Sequence, residues 1–540
     1  MTSVSYQIEG GNYETGGAAS RQIKEQLKKI GADPAVVRRA MVAAYEAEMN
    51  VVIHSHGGEL RAELDEHELR VDVIDTGPGI PDVEQAMKPG FSTASAKARE
   101  LGFGAGMGLP NIKKNSDHFA IESAAGRGTR VSFTIHLRPQ ALYGAGQFSI
   151  QVEAEKCRRS LHCLRACPTQ ALRVLRGKPE ILDYLCIDCT ECIGACPSGA
   201  WGLRSAGEEL KPSPGSILIL PPVSLVQFGA GITAGQVLTE LAYLGFSDIR
   251  VTAAWESALR KAVMQYAAGE TRVRPVISPV CPAVVNLIQL RFPSLLPHVA
   301  PFLSAQEAAY ESVVGEDRRL LSLVPCPCQL TIVRSRDRPV EKRSHVLAVL
   351  PATFAAVLHP RLKRGTGRSA DTGSTPAAPD PLGVLRVTGI HKVRQVLERL
   401  EDGLLTDITV IEPYACFAGC FGSPLFTEVA SVAQYRWALA PAKPDPRARA
   451  VRRVVPLEPR HGLRLDADMT RAIQKLARID KLRRSLPGSN CGNCGAPTCA
   501  ALAEDIVLGR AQLDACVRQR MDNEPAAKQS RPGPPAEESK

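Results

Sequence analysis

The 16 cysteines of this 540-residue chain limit what it can fold into more than any other feature, because they fall in only three places. They lie within 157–196, 281–420 and 491–516. The N-terminal stretch MTSVSYQIEGGNYETGG is polar and unlike a signal peptide, so we expect a cytoplasmic protein. Because disulfides are rare in the cytoplasm, cysteines grouped in this way predict metal ligation.

The length and net charge of the chain limit how many domains and which kinds of partner are expected. A chain of 540 residues is too long for one hydrophobic core, so several domains are expected. The formal net charge of +10 is mild, and no nucleic-acid motif accompanies it. We therefore expect a solvated basic face or a surface for an acidic protein partner, and not nucleic-acid binding. The most apolar stretch, 217–238, contains two prolines and three glycines, which favours a strand, turn and helix over a membrane span.

The pattern of helices, strands and loops predicts an α/β multidomain protein. Residues 1–140 alternate as a self-contained α/β unit, with a helix that starts after Asp33. Glycine, serine and proline dominate one internal segment, which we expect to be a mobile insertion, and composition predicts a disordered tail. The predicted divisions are 1–140, 145–207, 215–440 with the insertion 364–383, 465–522, and the tail 523–540.

Three segments of the first unit combine into a candidate nucleotide site. Glu46 and Asn50 are four residues apart and share one helix face. An asparagine oxygen can hold Mg²⁺ against phosphates, and a carboxylate one turn away can act as a general base. Glycine-rich loops let backbone N–H groups approach phosphates. The loop residues are Asp75, Gly77 and Gly79 in DTGPGIPD, Gly102, Gly104, Gly106 and Gly108 in GFGAGMGLPNI, and Thr129 in GRGT.

In this order and spacing the segments resemble the GHKL ATPase superfamily, and most closely the small serine/threonine switch kinases and anti-sigma-factor kinases. The resemblance implies that Glu46 is the general base, that Asn50 holds Mg²⁺, and that Asp75 binds the adenine amino group of ATP. No helix pair with a phospho-accepting histidine precedes the unit. Phosphate is therefore expected to go to a serine or threonine of a protein partner, or to water.

The next unit resembles a two-cluster bacterial ferredoxin. CIDCTECIGACP has the spacing C-x2-C-x2-C-x3-C-P, and CRRSLHCLRACP repeats it with Ser160 at the second ligand position. The second cluster is thus expected to be 3Fe–4S, labile, open to an exogenous ligand, or absent, with His162 as a weaker substitute ligand. The predicted ligands are Cys186, Cys189, Cys192 and Cys167 for cluster one, and Cys157, Cys163 and Cys196 for cluster two.

Residues 215–435 resemble the catalytic domain of iron-only hydrogenases, through PAVVNLIQLRFPSLLPHVAPFLSAQ and IEPYACFAGC. The resemblance implies a 4Fe–4S cubane, although four buried thiols without metal are the alternative. Hydrogen turnover is not expected, because the positions of the proton-relay cysteine, the cyanide-binding lysine and two pocket methionines hold other residues. The implied cubane ligands are Cys281, Cys326, Cys416 and Cys420, with Cys328 as an alternative to Cys326, and the replacements are Val280, Gln329, Val324 and Tyr414.

A last set of cysteines follows the spacing C-x2-C-x4-C-x16-C near the end of the chain. It resembles the small 4Fe–4S module of electron-transfer subunits and corrinoid proteins, and zinc bound by the same thiolates is the rival interpretation. Glycines between the first cysteines allow one tight loop to present several thiolates. The predicted ligands are Cys491, Cys494, Cys499 and Cys516.

Together these features predict a GHKL α/β sandwich, a ferredoxin-like insert, a hydrogenase-like α/β domain and a small helical 4Fe–4S module. We expect an iron–sulfur signalling protein with up to four clusters, ATP and Mg²⁺, whose GHKL domain phosphorylates or switches a protein partner in response to redox state or a small ligand. Two alternatives remain. The first is an ATP-gated electron-transfer protein with an electron-transfer partner, and the second is a non-enzymatic module whose partner affinity is set by ATP.

Overall fold

The computed structural model describes residues 2–519, except for 14, 66, 95–97, 99–103, 105, 138–147, 176, 205–208, 270–272, 314–317, 335–345, 364–382, 441–443, 461–464 and 467. Gly102, nearly all of the predicted insertion and the predicted tail therefore lie outside the described residues. No helix in the described part of the chain combines the length and the apolar composition that crossing a membrane requires.

The N-terminal domain, residues 2–137, is an antiparallel five-stranded sheet with helices packed on it, in the strand order β1-β2-β3-β5-β4. Alternation of buried and exposed residues produces the inner strands, and apolar residues at 19, 23 and 27 give the first helix its buried face. The elements are β1 Thr2–Glu9, α1 Ala18–Lys29, α2 Pro34–His54, β2 Gly57–Leu64, β3 Glu68–Asp75, α3 Val83–Ala86, α4 Gly108–Asn115, β4 His118–Ser123 and β5 Thr129–His136.

The cysteine-rich domain, residues 148–204, is built from two similar halves. Each half has a cysteine loop followed by a five-residue helix, and two short antiparallel strand pairs, β6 with β9 and β7 with β8, close the unit. The elements are β6 Ile150–Val152, α5 His162–Ala166, β7 Leu172–Leu175, β8 Lys178–Ile181, α6 Glu191–Ala195 and β9 Trp201–Leu203.

The middle domain, residues 209–440, contains two parallel sheets, in the orders β11-β10-β13-β14 and β12-β16-β15. Fully buried apolar strands such as ILIL at 217–220 are typical of parallel sheets covered on both faces. The strands are β10 Ile217–Leu220, β11 Asp248–Val251, β12 Val276–Ile277, β13 Leu320–Leu323, β14 Val346–Val349, β15 Val384–Thr388 and β16 Val410–Tyr414. The helices are α7 Ala234–Tyr243, α8 Ala253–Ala267, α9 Pro282–Arg291, α10 Ala305–Glu311, α11 Pro327–Arg334, α12 Pro351–Leu362, α13 Ile390–Glu401 and α14 Ala430–Ala438.

The C-terminal module, residues 465–519, consists of two helices, α15 Met469–Ser485 and α16 Cys499–Val507, with cysteine loops on either side of α16. Its apolar side chains lie in the same hydrophobic core as those of α1, α2 and the N-terminal sheet. The N-terminal domain is therefore not self-contained, in contrast to the expectation from the sequence. The physical reason is that α1 and α15 are both amphipathic, and each helix needs a partner to bury its apolar face.

Candidate nucleotide site and cysteine centres

Glu46 and Asn50 lie on α2, and both side chains meet helix α4. Asn111 on α4 donates a hydrogen bond from Nδ2 to Glu46 Oε1 at 2.7 Å. Burial raises the pKa of Glu46, while the hydrogen bond from Asn111 opposes this shift. A carboxylate that is held in place, with a raised pKa, has the properties of a general base.

The Asn50 side chain shows how closely the glycine-rich segment approaches α2. Asn50 Nδ2 is buried and has no hydrogen-bond partner among the described residues, which marks a polar group that a ligand can satisfy. A Cβ atom at Gly108 would lie 2.8 Å from Asn50 Oδ1. These observations fit a site at which Asn50 holds magnesium against phosphate. This role of Asn50 stays a prediction.

The loop after β3 folds tightly around Asp75. Asp75 Oδ1 accepts a hydrogen bond from Gly77 N at 2.7 Å. Gly79 has φ +71° and Gly128 has φ +75°, and Cβ atoms there would lie 2.0 Å from Ala124 O and 2.1 Å from Asp75 O. Only glycine can occupy such positions, so these loops are packed directly against each other beside the Asp75 carboxylate.

The remaining parts of the predicted nucleotide site flank this loop. Thr129 Oγ1 lies 2.9 Å from Ser123 Oγ, which also donates to Gly128 O at 2.9 Å. Gly104 and Gly106 both have positive φ, and Gly106 O accepts a hydrogen bond from Gly90 N at 2.9 Å. The described members of the glycine-rich segment therefore form an irregular, closely packed backbone ahead of α4, as a phosphate-covering loop requires.

In the cysteine-rich domain, the predicted ligands of cluster one come together. Cys186, Cys189 and Cys192 are buried, and Cys167 approaches them from the other half of the domain. Burial, with Cys167 and Cys192 as charged neighbours, raises the pKa of Cys189 well above its usual value. Cys167 Sγ accepts a hydrogen bond from Ala171 N at 3.2 Å, a contact of the kind that stabilises cluster thiolates.

The predicted ligands of cluster two form a second group with three thiols. Burial raises the pKa of Cys163, and Cys196 and Cys157 are its charged neighbours. Cys196 Sγ accepts a hydrogen bond from Ala200 N at 3.3 Å. Ser160 and His162 are both exposed, so neither closes the group from the protein interior.

The middle domain brings its four predicted ligands together from three loops. Cys420 lies on the solvent-exposed side of this group, and Cys326, Cys281 and Cys416 are its cysteine neighbours. Cys416 has Cys281 as its charged neighbour, and burial raises its pKa to about 12. Cys328 is instead fully buried at the start of α11 and accepts a hydrogen bond from Asn286 Nδ2 at 3.3 Å. The geometry thus favours Cys326 over Cys328 as the fourth member of the group.

The positions that depart from the hydrogenase pattern surround this group. Val324 is fully buried, and Gln329 is buried with its Oε1 atom lacking a partner among the described residues. Burial raises the pKa of Tyr414 above its usual value. Val280, Gln329 and Val324 therefore provide no thiol, amine or thioether at the positions that the hydrogenase resemblance assigns to the proton relay, the cyanide contact and one pocket methionine.

Two of the cysteine groups lie next to each other. Thr190 Oγ1, in the loop between Cys189 and Cys192, lies 3.7 Å from Cys416 Sγ of the middle domain. Cluster one and the cubane predicted in the middle domain would therefore be neighbours across this single side chain.

The C-terminal cysteines lie on either side of α16. Burial, with Cys491 and Cys516 as charged neighbours, raises the pKa of Cys494. Cys499 begins α16, and its N–H donates to Asn490 Oδ1 at 2.8 Å, which brings it back to the start of the loop. Within the part of the chain that the structure describes, no three His, Cys, Asp or Glu side chains are arranged to hold one metal ion. The ligand roles of all four cysteines stay predictions.

Four family models match separate parts of the chain. The histidine kinase-, DNA gyrase B- and HSP90-like ATPase model matches residues 36–139, and a 4Fe-4S dicluster domain model matches residues 149–197. The model of the iron only hydrogenase large subunit, C-terminal domain, matches residues 216–328, and an Fe-S cluster model matches residues 486–518. The resemblances predicted from the sequence are confirmed.

Known proteins are similar to separate parts of the chain. Serine/threonine-protein kinase RsbT of Bacillus subtilis (strain 168) is 31% identical over 125 residues, 22% of this chain and 88% of RsbT. An anti-sigma F factor of Caldanaerobacter subterraneus subsp. tengcongensis is 34% identical over 112 residues, 19% of this chain and 75% of that protein. One component of the Na(+)-translocating ferredoxin:NAD(+) oxidoreductase complex of Acetobacterium woodii is 56% identical over 39 residues, 7% of this chain and 12% of that component.

One solved structure similar to part of the chain is a variant of the FeFe-hydrogenase HydA1 from Chlamydomonas reinhardtii. The match spans 41% of this chain and 83% of the hydrogenase chain, at 15% identity and a TM-score of 0.32. The chain belongs, through its N-terminal domain, to the histidine kinase-, DNA gyrase B- and HSP90-like ATPase family. Within that family it is similar to RsbT and the anti-sigma F factors, and it joins their ATPase domain to ferredoxin-type, hydrogenase-like and C-terminal iron–sulfur domains.

Sequence reasoning missed two residues that position helix α2 and its side chains. Asn111 contacts Glu46, and its only sequence signal is its place in the first turn of the helix that follows the glycine run. Glu48 lies between Glu46 and Asn50 but is buried on another side of α2, where it accepts hydrogen bonds from Ala19 N and Ser20 N at 3.1 Å each. Nothing in the sequence alone indicates that Glu48 holds the start of α1.

Proposed function

We propose that this chain is an iron–sulfur signalling protein whose N-terminal domain binds Mg·ATP and phosphorylates or switches a protein partner, at a rate set by the state of its clusters. RsbT is named a serine/threonine-protein kinase and the anti-sigma F factors are named for a protein target, which supports a protein partner here. The iron–sulfur domains supply up to four clusters that respond to electrons or ligands.

One observation carries the coupling part of this proposal: helix α1 contacts the catalytic helix and both flanking cluster domains. At its N-terminal end, the Ala19 and Ser20 amides donate to Glu48 of α2, within two residues of both Glu46 and Asn50. A helix start leaves its first N–H groups without intrahelical acceptors, so the Glu48 carboxylate fixes α1 to α2.

The other end of α1 is bound to the C-terminal module. Lys29 Nζ lies 2.6 Å from Glu504 Oε1 of α16, and Lys29 O accepts a hydrogen bond from Leu465 N at 3.3 Å. The apolar faces of α1 and α15 share one core, in which Leu27 and Leu476 are fully buried. Any shift of α15 or α16 is therefore transmitted to α1 through close packing.

The middle domain contacts the same helix. Lys24 of α1 forms a buried ion pair with Glu401 at the end of α13, and Ser294 donates to the same carboxylate. Lys24 Nζ also lies 5.3 Å from the centre of the Phe292 ring. Because a buried ion pair is lost only at a large free-energy penalty, this contact has discrete formed and broken states and suits a switch.

The proposed chemistry follows from the residues of the nucleotide site. Glu46 takes the proton of an attacking hydroxyl, Asn50 holds Mg²⁺, and Asp75 accepts a hydrogen bond from the adenine amino group. Magnesium, when bound, neutralises phosphate charge and orients the phosphates. The Asn111 hydrogen bond keeps the Glu46 carboxylate directed towards α4, which begins at the glycine-rich segment. Hydrogen turnover is excluded from the proposal because Val280 and Gln329 cannot move a proton or bind cyanide.

ATP turnover of the full chain, purified and assayed without oxygen, tests the proposal in the oxidised and reduced states. We expect different rates in the two states, and equal rates would defeat the coupling. Lys24→Met should bring the two rates closer together, because it removes the buried ion pair with Glu401 from the contacts between α1 and the middle domain. Arg61→Met is the control, because it also replaces a long cationic side chain with methionine. Arg61 is exposed and forms its ion pair with Glu59 on the same strand, so this variant should leave the ratio of the oxidised and reduced rates unchanged.

A second candidate function is ATP-gated electron transfer. The contact that favours it is the 3.7 Å approach of Thr190 Oγ1 to Cys416 Sγ, which makes two cysteine groups neighbours. If electron transfer is the function, reduction of an added one-electron acceptor by the reduced chain should change on addition of ATP. If signalling is the function, ATP should leave that rate unaltered while turnover still depends on the redox state.

A further inference from the structure

The two cysteine loops of the cysteine-rich domain have the same backbone shape. Arg159 and Leu161 have φ of +54° and +60°, and the matching residues Asp188 and Thr190 have φ of +54° and +73°. Positive φ at such residues is unfavourable and persists only where the fold enforces it. Ser160 therefore stands at the loop position that Cys189 occupies in the other half.

The last cysteine of each half also has matching surroundings. Cys167 accepts a hydrogen bond from Ala171 N at 3.2 Å, and Cys196 accepts one from Ala200 N at 3.3 Å. Each sulfur also lies near the hydroxyl of the residue two positions later, Thr169 at 3.6 Å and Ser198 at 3.5 Å. The loop at site two is thus fully formed for a cluster, although one of its four positions has no thiol.

The surroundings of that position differ between the two sites. Cys189 is only 8% exposed, and Thr190 beside it packs towards the middle domain. Ser160 is exposed, and so are Arg158, Arg159 and His162 around it. The fourth corner of cluster one is therefore enclosed by protein, whereas the fourth corner of cluster two faces solvent.

Iron in cubanes is held by soft thiolate sulfur, for which a serine oxygen is a poor replacement. We infer that cluster two has an exchangeable fourth iron at Ser160, so that this site binds and releases Fe²⁺. The 4Fe–4S²⁺ form loses one Fe²⁺ to give 3Fe–4S⁰, which gives one electron to a one-electron oxidant and becomes 3Fe–4S⁺. One electron from a one-electron reductant and one Fe²⁺ reverse both steps.

This site adds ferrous iron to the signals that the chain can register, which goes beyond redox state alone. Only the reduced three-iron form takes up Fe²⁺, so reductant and iron act together at the site. The inference concerns the chain's cluster ligands and does not depend on whether the N-terminal domain acts as a kinase.

The test uses the full chain, isolated without oxygen and then treated with ferricyanide and a ferrous chelator. We expect the loss of one iron per chain and the appearance of the EPR signal of an oxidised 3Fe–4S cluster at about one spin per chain. The treated chain is then reduced with dithionite, given one equivalent of Fe²⁺ and reoxidised without the chelator. The EPR signal should no longer be present after this sequence. An EPR-silent chain that keeps all its iron, or one that carries no cluster on Cys157, Cys163 and Cys196, would overturn the inference.

Two variants at one position distinguish an exchangeable iron from general cluster damage. Ser160→Cys should remove the 3Fe–4S signal and retain the iron, and an undiminished signal in this variant contradicts the inference. Ser160→Ala should behave as the unmodified chain does, because the oxygen is not needed as a ligand. Loss of the whole cluster in Ser160→Ala would show that serine is a genuine ligand and would likewise contradict it.

Discussion

Arg173 of the cysteine-rich domain forms an ion pair with Asp505 of the C-terminal module, and both side chains are almost completely buried. The Arg173 guanidinium also donates to Gln170 O at 2.8 Å and to Leu172 O at 2.9 Å, so its charge is well compensated. Burial raises the pKa of Asp505, and Arg173 opposes that shift. This pair fixes the last cluster module against the ferredoxin-type domain.

We predict that Asp505→Ala lowers stability strongly, because it leaves a buried guanidinium without its carboxylate. Removing one partner of a buried pair typically destabilises by about 3–5 kcal/mol. Thermal unfolding, together with limited proteolysis between 485 and 499, measures the effect. Glu59→Ala breaks an exposed ion pair on β2 and should leave the unfolding midpoint unchanged. Equal midpoints for the Asp505 variant and the unmodified chain would show that the pair does not hold the module.

The local elements of this molecule were largely predictable. The helix expected after Asp33 is present as α2, and strands β2 to β5 have the alternating apolar residues that are typical of half-buried strands. Helix α1 was not assigned, although Ala19, Ile23 and Leu27 recur with helical spacing. Cysteine groups within one short loop, such as Cys186, Cys189 and Cys192, were also predictable, because their spacing is a local property of the sequence. The middle-domain group, which comes from three separate loops, was implied only by the hydrogenase resemblance.

The contacts between the domains were not predictable from one sequence. An apolar stripe, such as the one containing Leu476 on α15, indicates that a face is buried but not which helix covers it. The same limit applies to Glu48 and Asp505, whose partners lie 28–29 and 332 residues away in the chain. The choice between Cys326 and Cys328 required the three-dimensional positions of Cys416 and Asn286.

A second prediction concerns Gly495, which follows Cys494. Gly495 O accepts a hydrogen bond from Val174 N at 2.8 Å, and a Cβ at Gly495 would lie 1.9 Å from Val174 O. Gly495→Ala should therefore displace the last cysteine loop from β7 and lower the iron content of the chain. Gly509→Ala is the matched control, because Gly509 has a similar positive φ but open space around it. It should cost only about 1–2 kcal/mol of backbone strain and leave the iron content unaltered.

The third prediction distinguishes catalysis by Glu46 from simple nucleotide binding. Glu46→Gln preserves size and can still pair with Asn111, but it cannot accept a proton. We expect ATP turnover to fall by about 10²–10⁴-fold, while nucleotide affinity measured by calorimetry changes little. Unchanged turnover would favour the interpretation in which ATP only sets the affinity for a partner. Glu63→Gln, on strand β2, is the control and should match the unmodified chain.

The pH dependence of turnover provides the fourth prediction. In the proposed function Glu46 acts as a base, so turnover should rise with pH as its carboxyl loses a proton. The hydrogen bond from Asn111 lowers the pKa of Glu46 against the effect of burial. Asn111→Leu removes this stabilisation of the charged form, so the rising limb of the pH–rate profile should move to higher pH. A profile that keeps its position while its height falls would mean that Asn111 acts only on nucleotide binding.

The last prediction separates the two neighbouring cysteines of the middle domain. Cys326 has both Cys281 and Cys416 as charged neighbours, whereas Cys328, which also lies near Cys281, accepts a hydrogen bond from Asn286. Cys326→Ala should therefore lose the cubane of this domain, seen as about four fewer irons per chain and a weaker visible absorption. Cys328→Ala keeps all four thiolates of the group and should retain the iron, with only a modest loss of stability from the smaller side chain. The reverse result would assign the fourth ligand to Cys328, and equal iron in both variants would mean that either thiol can complete the site.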